Sequence, residues 1–316
     1  MTLVTFGETM LRYAPPAGER FETADAFSVH VGGAESNVAV AASRLGREAV
    51  WLSKLPDSPL GDRVVRALEA QGVTTDVVRS DEGRQGVYYV EFGGEPRGTD
   101  VRYDRADAAV TTATADELST GRVEDAECFY TSGITPALSA TLTDTTRALL
   151  ETARAAGTTT VFDVNYRSKL WSPGAAGETL GDLLGLVDVL FVAERDAETV
   201  LGLSDAPGAV GRELIERNGH EAVVLTRGER DAVAVTPDSV LEQPTFEADT
   251  RDPVGSGDAF VGGFLARWLA GRDPAAALEY GAATAAVKRT LDGDMALVSP
   301  EEIEAEIGRA SCRERV

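Results

Sequence analysis

Short apolar runs alternate with longer amphipathic runs along most of this chain, and this alternation limits the folds open to it. The apolar runs predict strands at residues 3–6, 49–54, 128–131, 159–164, 187–192 and 222–226. The amphipathic runs predict helices at residues 36–45, 60–71, 140–156, 194–201, 209–218, 259–270 and 275–291. Strand–helix–strand units predict an α/β protein with a mostly parallel central sheet and helices on both faces. Such sheets bind ligands at the carboxyl ends of their strands.

One segment departs from this alternation. Residues 86–92 and 100–103 are β-prone and are joined by a glycine-rich stretch, which predicts a hairpin. We expect a small β-sheet formed by about residues 9–16 and 84–105. Beside the strand ends it would act as a lid, and the alternative is a surface hairpin without a role. We expect residues 1–307 to form a single domain. Residues 308–316 break the acidic trend and are expected to be an expression tail.

The charge balance limits the partners of this protein. The chain has 30 basic and 52 acidic residues, a formal net charge of −22. Nucleic acid and anionic membranes need a positive surface, so neither is expected as a partner. The lysines are Lys54, Lys169 and Lys288, and all other basic residues are arginines. An acidic, lysine-poor surface is typical of proteins from salt-loving organisms, because the Debye length is only about 3 Å at about 1 M salt.

The remaining composition indicates a reduced compartment. The two cysteines, Cys128 and Cys312, form no CxxC pair and predict no disulfide framework. We see no signal-peptide pattern and no apolar stretch of about 18 residues, so a cytoplasmic protein is expected. No lysine follows a glycine, which excludes a Walker A loop, and no GxGxxG follows a strand. His30 and His220 lie in no metal-binding pattern, so neither a catalytic triad nor a zinc site is predicted.

The most informative motif is Gly255-Ser256-Gly257-Asp258, which precedes a predicted helix. Two glycines let backbone amides turn inward, and the helix N-terminus adds a partial positive charge. Together they predict an anion site suited to the charge that develops in phosphoryl transfer. Asp258 at its mouth can accept a proton from a hydroxyl group. The alternative is that Asp258 only caps the helix.

Two further blocks give this motif a context. Residues 32–41 open a predicted helix with Gly-Gly-Ala-Glu-Ser-Asn, and residues 162–167 end a strand with Asp-Val-Asn-Tyr-Arg. In order and spacing, the three blocks resemble the ribokinase-like (PfkB) carbohydrate kinases over about residues 3–300. Residues 31–35, 132–139, 163–173 and 252–255 are similar to the 2-keto-3-deoxygluconate kinases of that family. The resemblance implies transfer of the γ-phosphoryl group of ATP, with Mg²⁺, giving the 6-phosphate of 2-keto-3-deoxygluconate.

The resemblance also implies roles for individual residues. Asp258 matches the catalytic base, and the anion hole matches Gly255, Ser256 and Gly257. The residues that match substrate contacts are Gly33, Ala34, Asn37, Tyr88, Tyr103, Arg105, Arg167 and Asp294. The residues that match the nucleotide side are Asn165, Thr226, Gly228, Gly255 and Gly257. Arginine binds carboxylates in bidentate fashion, so the two substrate-side arginines suit a keto acid.

Some positions depart from the family pattern. Thr226 stands where lysine is common, and Asp231 where glycine is usual. Ala193 and Asp196 stand where many members have Asn and Glu, so the metal ligands are unassigned, with Glu194 or Glu198 as candidates. Potassium is a candidate activating ion near residues 252–257.

Several alternatives stay open. The substrate is 2-keto-3-deoxygluconate, its galactonate epimer or both, since one hydroxyl inversion separates them. Another sugar kinase of the same fold, such as a fructokinase or ribokinase, is the nearest alternative. A non-catalytic regulator that binds sugar or nucleotide is the alternative from another class. A homo-oligomer is expected, because lid hairpins in this family often pair between subunits.

Overall fold

The computed structural model describes residues 2–94 and 96–313, and it contains the predicted alternation of strands and helices. The strands are β1 (Thr2–Phe6), β2 (Met10–Ala14), β3 (Ser28–Gly32), β4 (Glu48–Pro56), β5 (Thr74–Ser80), β6 (Val87–Phe92), β7 (Thr99–Asp104), β8 (Cys128–Ser132), β9 (Thr159–Asp163), β10 (Val189–Ala193), β11 (Ala222–Thr226), β12 (Asp231–Val235) and β13 (Val240–Pro244). The helices are α1 (Ala34–Arg44), α2 (Pro59–Glu69), α3 (Thr120–Glu124), α4 (Ala140–Ala156), α5 (Pro173–Leu184), α6 (Glu194–Leu201), α7 (Pro207–Asn218), α8 (Ser256–Gly271), α9 (Pro274–Arg289) and α10 (Pro300–Arg313).

The main sheet confirms the predicted α/β class. Within the described residues it has nine strands in the order β13-β12-β11-β10-β9-β8-β1-β4-β5. The seven strands from β11 to β5 are parallel, and β12 and β13 extend that edge in antiparallel pairing. The strands β5, β12 and β13 are additions to the predicted set. Parallel pairing aligns the carboxyl ends of the central strands along one edge.

A separate small sheet confirms the predicted β appendage. Its order is β3-β2-β6-β7, and β6 and β7 form the expected antiparallel hairpin. One face of this sheet carries a cluster of Met10, Tyr88 and Val90, with Phe92 and Val101 packed against it. Leu11 and Val87 point to the other side, where they pack with residues of α1, α2 and β4. The alternation of side chains along each strand thus divides the small sheet into two packed faces.

Helices cover both faces of the main sheet. On one side, Phe129 of β8 packs with residues of α4, α5, α6 and α7. On the other side, its neighbours Cys128 and Tyr130 pack with residues of α1, α8, α9 and α10. Cys128 is a buried free cysteine, and the side chain of Cys312 lies outside the described residues. Each central strand is therefore buried on both faces, as expected for a parallel sheet.

Helix boundaries follow local signals. The hydroxyl of Ser139 accepts a hydrogen bond from the amide of Leu142 (3.0 Å) and begins α4, and Gly157 ends it in the left-handed region (φ 81°). The last helix, α10, runs through Gly308 to Arg313, so it enters the stretch predicted to be a tail. Residues 314–316 lie outside the described residues. The tail and the limits of the domain stay predictions. None of the described helices is long and apolar enough to cross a membrane.

A substitution of Leu149 on α4 tests the core between the main sheet and the helices α4 to α7. Its side chain is fully buried, so Leu149→Ala removes apolar contacts and leaves a cavity. We expect the free energy of unfolding to fall by about 2–5 kcal/mol. Glu151→Ala, at an exposed position of the same helix, should change it by less than about 0.5 kcal/mol. Denaturant titration of both variants in concentrated salt checks this, and equal stabilities would contradict the packing described.

Candidate active site

A cavity of about 430 Å³ opens between the carboxyl ends of the parallel strands and the small sheet. The ends of β9, β10 and β11 contribute Asp163, Ala193 and Thr226 to its wall. The predicted site residues that line it are Gly33, Ala34, Asn37, Tyr88, Tyr103, Arg105, Asn165, Arg167, Thr226, Gly255, Ser256, Gly257, Asp258 and Asp294. Gly228 lies outside this lining, in the turn between β11 and β12 (φ 66°). The structure thus gathers residues from both ends of the chain into one cavity.

The loop that begins α8 forms one wall of the cavity. Gly255 has a φ of 81°, and a Cβ built on it would lie 2.0 Å from the carbonyl oxygen of Asp294. Both observations require glycine there, because any other side chain would strain the backbone and clash. The hydroxyl of Ser256 donates to the carbonyl oxygen of Pro253 (2.8 Å), so this side chain stays within the loop. The first amides of α8 have no partner within the helix, so this wall is a candidate anion site.

Asp258 lies in the first turn of α8, held by a residue of another helix. The side-chain amide of Asn37 on α1 donates to Oδ2 of Asp258 (2.7 Å). Burial raises the pKa of Asp258, and the Asn37 hydrogen bond and the charge of Arg167 oppose that rise. A carboxyl group with a raised pKa is a stronger base once ionised, so its position and chemistry suit acceptance of a hydroxyl proton.

The start of α1 is held against the end of β1. A Cβ on Gly33 would lie 2.0 Å from the carbonyl oxygen of Glu8, so only glycine lets these two segments approach so closely. Glu35, in the first turn of the same helix, is buried and accepts hydrogen bonds from the hydroxyls of Ser132 (2.6 Å) and Thr135 (2.9 Å). Burial raises its pKa to about 7. Glu35 was quoted within the sequence motif but was not predicted as a site residue.

A second carboxyl group lies at the end of β9. Burial and the neighbouring charge of Asp258 raise the pKa of Asp163 to about 7. The amide of Asn165 donates to Asp163 Oδ1 (3.1 Å), and Asn165 itself has a positive φ of 39°. Asp196 of α6 also lines the cavity, and burial raises its pKa. Within the described residues no group of three or more His, Cys, Asp or Glu side chains is placed to hold a metal ion.

The candidate metal ligands Glu194 and Glu198 do not line the main cavity. Glu194 forms ion pairs with Arg227 (3.4 Å) and with Arg230. Arg227 also pairs with Asp231 (3.1 Å), the residue that stands where the family has glycine. Glu198 lines a separate pocket of about 190 Å³. Asp163 and Asp196 are therefore better placed than either glutamate to approach a ligand in the cavity.

The small sheet brings a cation to the opposite wall. Arg105 pairs with Glu8, and its guanidinium lies 5.3 Å from the centre of the Tyr103 ring. Both members of this ion pair line the cavity and are largely buried. Sequence reasoning missed Glu8, although its place just beyond β1, at the ligand-binding edge of the sheet, is a signal that could have found it.

The loop after β9 closes the space beside the small sheet. Lys169 donates a hydrogen bond to the carbonyl oxygen of Val101, and its ammonium lies 5.9 Å from the centre of the Tyr103 ring. A second cavity of about 450 Å³ lies here, and it shares Tyr103, Arg167 and Arg195 with the first. The small sheet therefore covers the strand ends, as a lid would.

A buried group of charges lies behind the loop that begins α8. Arg12 of β2 is 1% exposed and pairs with Asp252 (Nη2–Oδ2 2.6 Å) and Asp294 (Nε–Oδ1 3.2 Å). The hydroxyl of Tyr88 donates to Asp294 Oδ2. Asp294, predicted as a substrate contact, lines the cavity, but its carboxylate already contacts Arg12 and Tyr88. Sequence reasoning missed Arg12, because an arginine in a half-buried strand looks like a solvent-facing residue.

Glu35→Gln tests the buried carboxyl group through the pH dependence of stability. The native pKa of about 7 exceeds the ordinary value of 4.5, so the native state binds more protons than the unfolded state between these values. The free energy of unfolding should therefore fall as pH rises through this window, by about 3 kcal/mol from this group. The variant lacks that titration and should lose less stability than the wild type between pH 5 and pH 8, measured by denaturant titration. The same pH dependence in both proteins would contradict the raised pKa, and Glu178→Gln, at an exposed position, is the control.

Comparison with known proteins identifies the family of this chain. Residues 2–301 match the sequence profile described as the pfkB family of carbohydrate kinases. A 2-dehydro-3-deoxygalactonokinase of Haloferax volcanii is 59% identical over 96% of this chain and 95% of its own length. A 2-dehydro-3-deoxygluconokinase of Bacillus subtilis is 33% identical over 92% of this chain and 90% of its own. The Haloferax relative confirms the predicted salt-adapted character.

The solved structures agree with the sequence relatives. The crystal structure of a 2-dehydro-3-deoxygluconokinase from Thermotoga maritima superposes with a TM-score of 0.92 at 32% identity and covers 98% of both chains. This likeness confirms the ribokinase-like fold predicted from the three sequence blocks. The chain therefore belongs to the pfkB family of carbohydrate kinases, which makes it a phosphotransferase with an alcohol group as acceptor.

Proposed function

We propose that this protein uses ATP to phosphorylate a 2-keto-3-deoxy sugar acid on its 6-hydroxyl group. The observation that carries the proposal is one cavity with a carboxylate base at an anion site and arginines facing it. The names of the Haloferax, Bacillus and Thermotoga relatives support the same substrate class. The 59% identity to a 2-dehydro-3-deoxygalactonokinase favours the galactonate epimer as a substrate alongside the gluconate one.

Asp258 is the proposed catalytic base. Its carboxylate takes the proton of the 6-hydroxyl as that oxygen forms a bond to the γ-phosphorus of ATP. The bond from the γ-phosphorus to the bridging oxygen breaks, and ADP leaves with the electron pair. Asn37 holds the carboxylate in place through a 2.7 Å hydrogen bond. A positioned base of this kind contributes about 10²–10⁴-fold to such a reaction.

The backbone amides at the start of α8 are the proposed anion hole. Gly255, Ser256 and Gly257 line the cavity, and amides of this loop can stabilise charge on the transferring phosphoryl group. The amide of Ser256 also donates a hydrogen bond to the carbonyl oxygen of Pro253 (3.2 Å). A Cβ on Gly257 would meet no atom within 4 Å, so this side of the loop is open to the ligand. The dipole of α8 adds a partial positive charge at the same place.

The substrate carboxylate needs cations in a protein of this acidity. Arg105 and Arg167 line the cavity from the small sheet and from the loop after β9. Guanidinium groups bind carboxylates in bidentate fashion, which favours a sugar acid over a neutral sugar. Gly33, Ala34, Tyr88, Tyr103 and Asp294 are the other proposed substrate contacts.

ATP and Mg²⁺ are the proposed partners in the reaction. Asp163 and Asp196 suit Mg²⁺, which proteins commonly hold through one or two carboxylates together with substrate phosphates. When bound, Mg²⁺ supplies neutralisation of charge on the phosphoryl oxygens. Asn165, Thr226 and Gly228 are the proposed nucleotide contacts, and Gly228 would take part only through the turn after β11.

The alternatives are weaker on this geometry. A fructokinase or ribokinase would not need the two cavity arginines, because neutral sugars carry no carboxylate. A non-catalytic regulator would not need a buried base beside an anion site. A homo-oligomer stays a prediction.

Asp258→Asn tests the proposed base. The amide cannot accept the hydroxyl proton, so we expect kcat to fall by about 10²–10⁴-fold while both KM values change little. The measurement is ADP release with saturating sugar acid. Asp292→Asn, at an exposed aspartate paired with Arg251, is the matched control and should keep wild-type turnover. Near-full turnover of Asp258→Asn would exclude its role as base.

Arg105→Ala tests recognition of the carboxylate. A hydrogen bond to a charged group contributes about 1.5–3 kcal/mol, so KM for the sugar acid should rise by about tenfold or more. KM for a neutral sugar, if it is turned over, should change much less. Arg102→Ala, an exposed arginine of the same hairpin, should leave both values unchanged. An equal effect of Arg105→Ala on acid and neutral sugars would remove carboxylate binding from its role.

A further inference from the structure

Lys288 of α9 is a fully buried lysine close to the anion-binding loop. Its side chain is 0% exposed in a chain that has only two other lysines. Its ammonium donates a hydrogen bond to the carbonyl oxygen of Asp252 (3.0 Å). A buried ammonium is costly unless it meets acceptors and opposite charge, so this position needs a physical reason.

Asp252 joins the segments that build the anion site. Its Oδ1 accepts a hydrogen bond from the amide of Val254 (3.0 Å), and its Oδ2 accepts one from the amide of Gly293 (2.9 Å). Gly293 precedes Asp294, whose carbonyl oxygen lies against Gly255. Lys288 therefore holds the backbone of Asp252, the first residue of the loop 252–257.

The charges behind this loop balance only with the lysine. Arg12 and Lys288 carry two positive charges, while Asp252 and Asp294 carry two negative ones. Without Lys288, the remaining charges of Arg12, Asp252 and Asp294 would sum to −1. This negative charge would lie behind the loop amides that are proposed to bind the phosphoryl group. A cation near this loop thus favours the proposed reaction electrostatically.

The ammonium of Lys288 already contacts the carbonyl oxygen of Asp252, so a positive charge lies where a potassium ion was expected. We propose that Lys288 is the built-in monovalent cation of the 252–257 loop, a positioning residue that makes turnover independent of bound potassium. This rests on the proposed phosphoryl transfer at the same loop. It differs from the expectation of a potassium site near residues 252–257.

The first test measures the kinase activity of the wild-type protein. The protein is dialysed and assayed at constant ionic strength in potassium, sodium or choline chloride. Melting temperatures in each salt identify conditions in which the protein stays folded. We expect kcat and KM for ATP in potassium and sodium chloride to agree within about twofold. Selective activation by potassium under those conditions would overturn the proposal.

The second test removes the ammonium. Lys288→Ala should lower kcat and raise KM for ATP, by about tenfold to 150-fold in kcat/KM for ATP, with KM for the sugar acid little changed. Ammonium or methylammonium chloride should restore much of the loss, whereas choline chloride at equal ionic strength should not. Lys54→Ala is the matched control, because Lys54 is another buried lysine but pairs with Glu117 (2.9 Å). It should lose stability without rescue by ammonium.

A binding measurement separates this proposal from the proposed function. Ammonium should raise the melting temperature of Lys288→Ala more than that of the wild type or Lys54→Ala, whatever sugar the enzyme uses. If Lys288→Ala does not fold, Lys288→Gln replaces it as the test variant. Lys288→Gln should show the same kinetic defect, and ammonium should not restore its activity. A folded Lys288→Ala with wild-type kinetics, or with losses that ammonium does not reverse, would overturn the proposal.

Discussion

The buried ion triad of Arg12, Asp252 and Asp294 connects the parts of this molecule on which its cavity depends. Arg12 belongs to the small sheet, whereas Asp252 precedes α8 and Asp294 follows α9. The triad therefore ties the lid to the loop that begins α8. Removing one partner of a buried ion pair typically costs about 3–5 kcal/mol, because the other charge stays buried without compensation. An arrangement this costly to disturb fixes the distance between the loop that begins α8 and the small sheet, which form two walls of the cavity.

The cavity also concentrates acidic groups where an anionic ligand must enter. Asp258, Asp163 and Glu35 lie within one space, and burial raises the pKa of each. The arginines and amides of the cavity walls offset the mutual repulsion of these carboxyl groups. The proposed ligands of a divalent ion that arrives with a nucleotide are Asp163 of this group and Asp196 beside it. Proton acceptance and cation binding are thus two uses of one electrostatic arrangement.

Sequence patterns predicted the periodic elements and the motifs, because these depend on local properties of the chain. The helix at 140–156 and the strand at 222–226 were predicted to the residue, since each is strongly patterned and clearly bounded. The glycine-rich α5 was missed because it lacks the expected period, and the edge strand β13 was missed because it packs on one face only. The strand β12, which pairs with β11 and β13 and is buried throughout, was also missed. Arg12, Glu8 and Lys288 were missed because burial of a charge depends on partners far away in sequence. The predicted site residues could be collected from motifs, but their ion pairs could only be seen in three dimensions.

The central claim is that the acceptor of the phosphoryl group is a sugar acid. We would measure ADP release in concentrated potassium chloride with Mg²⁺ and ATP, and offer 2-keto-3-deoxygluconate, its galactonate epimer, fructose and ribose in parallel. The account predicts sugar-dependent turnover on one or both keto-deoxy acids and kcat/KM values at least about tenfold lower on the neutral sugars. Efficient turnover of fructose or ribose, with none on the acids, would contradict the proposed substrate and the role of the arginines. ATP consumption independent of any sugar would contradict the mechanism itself.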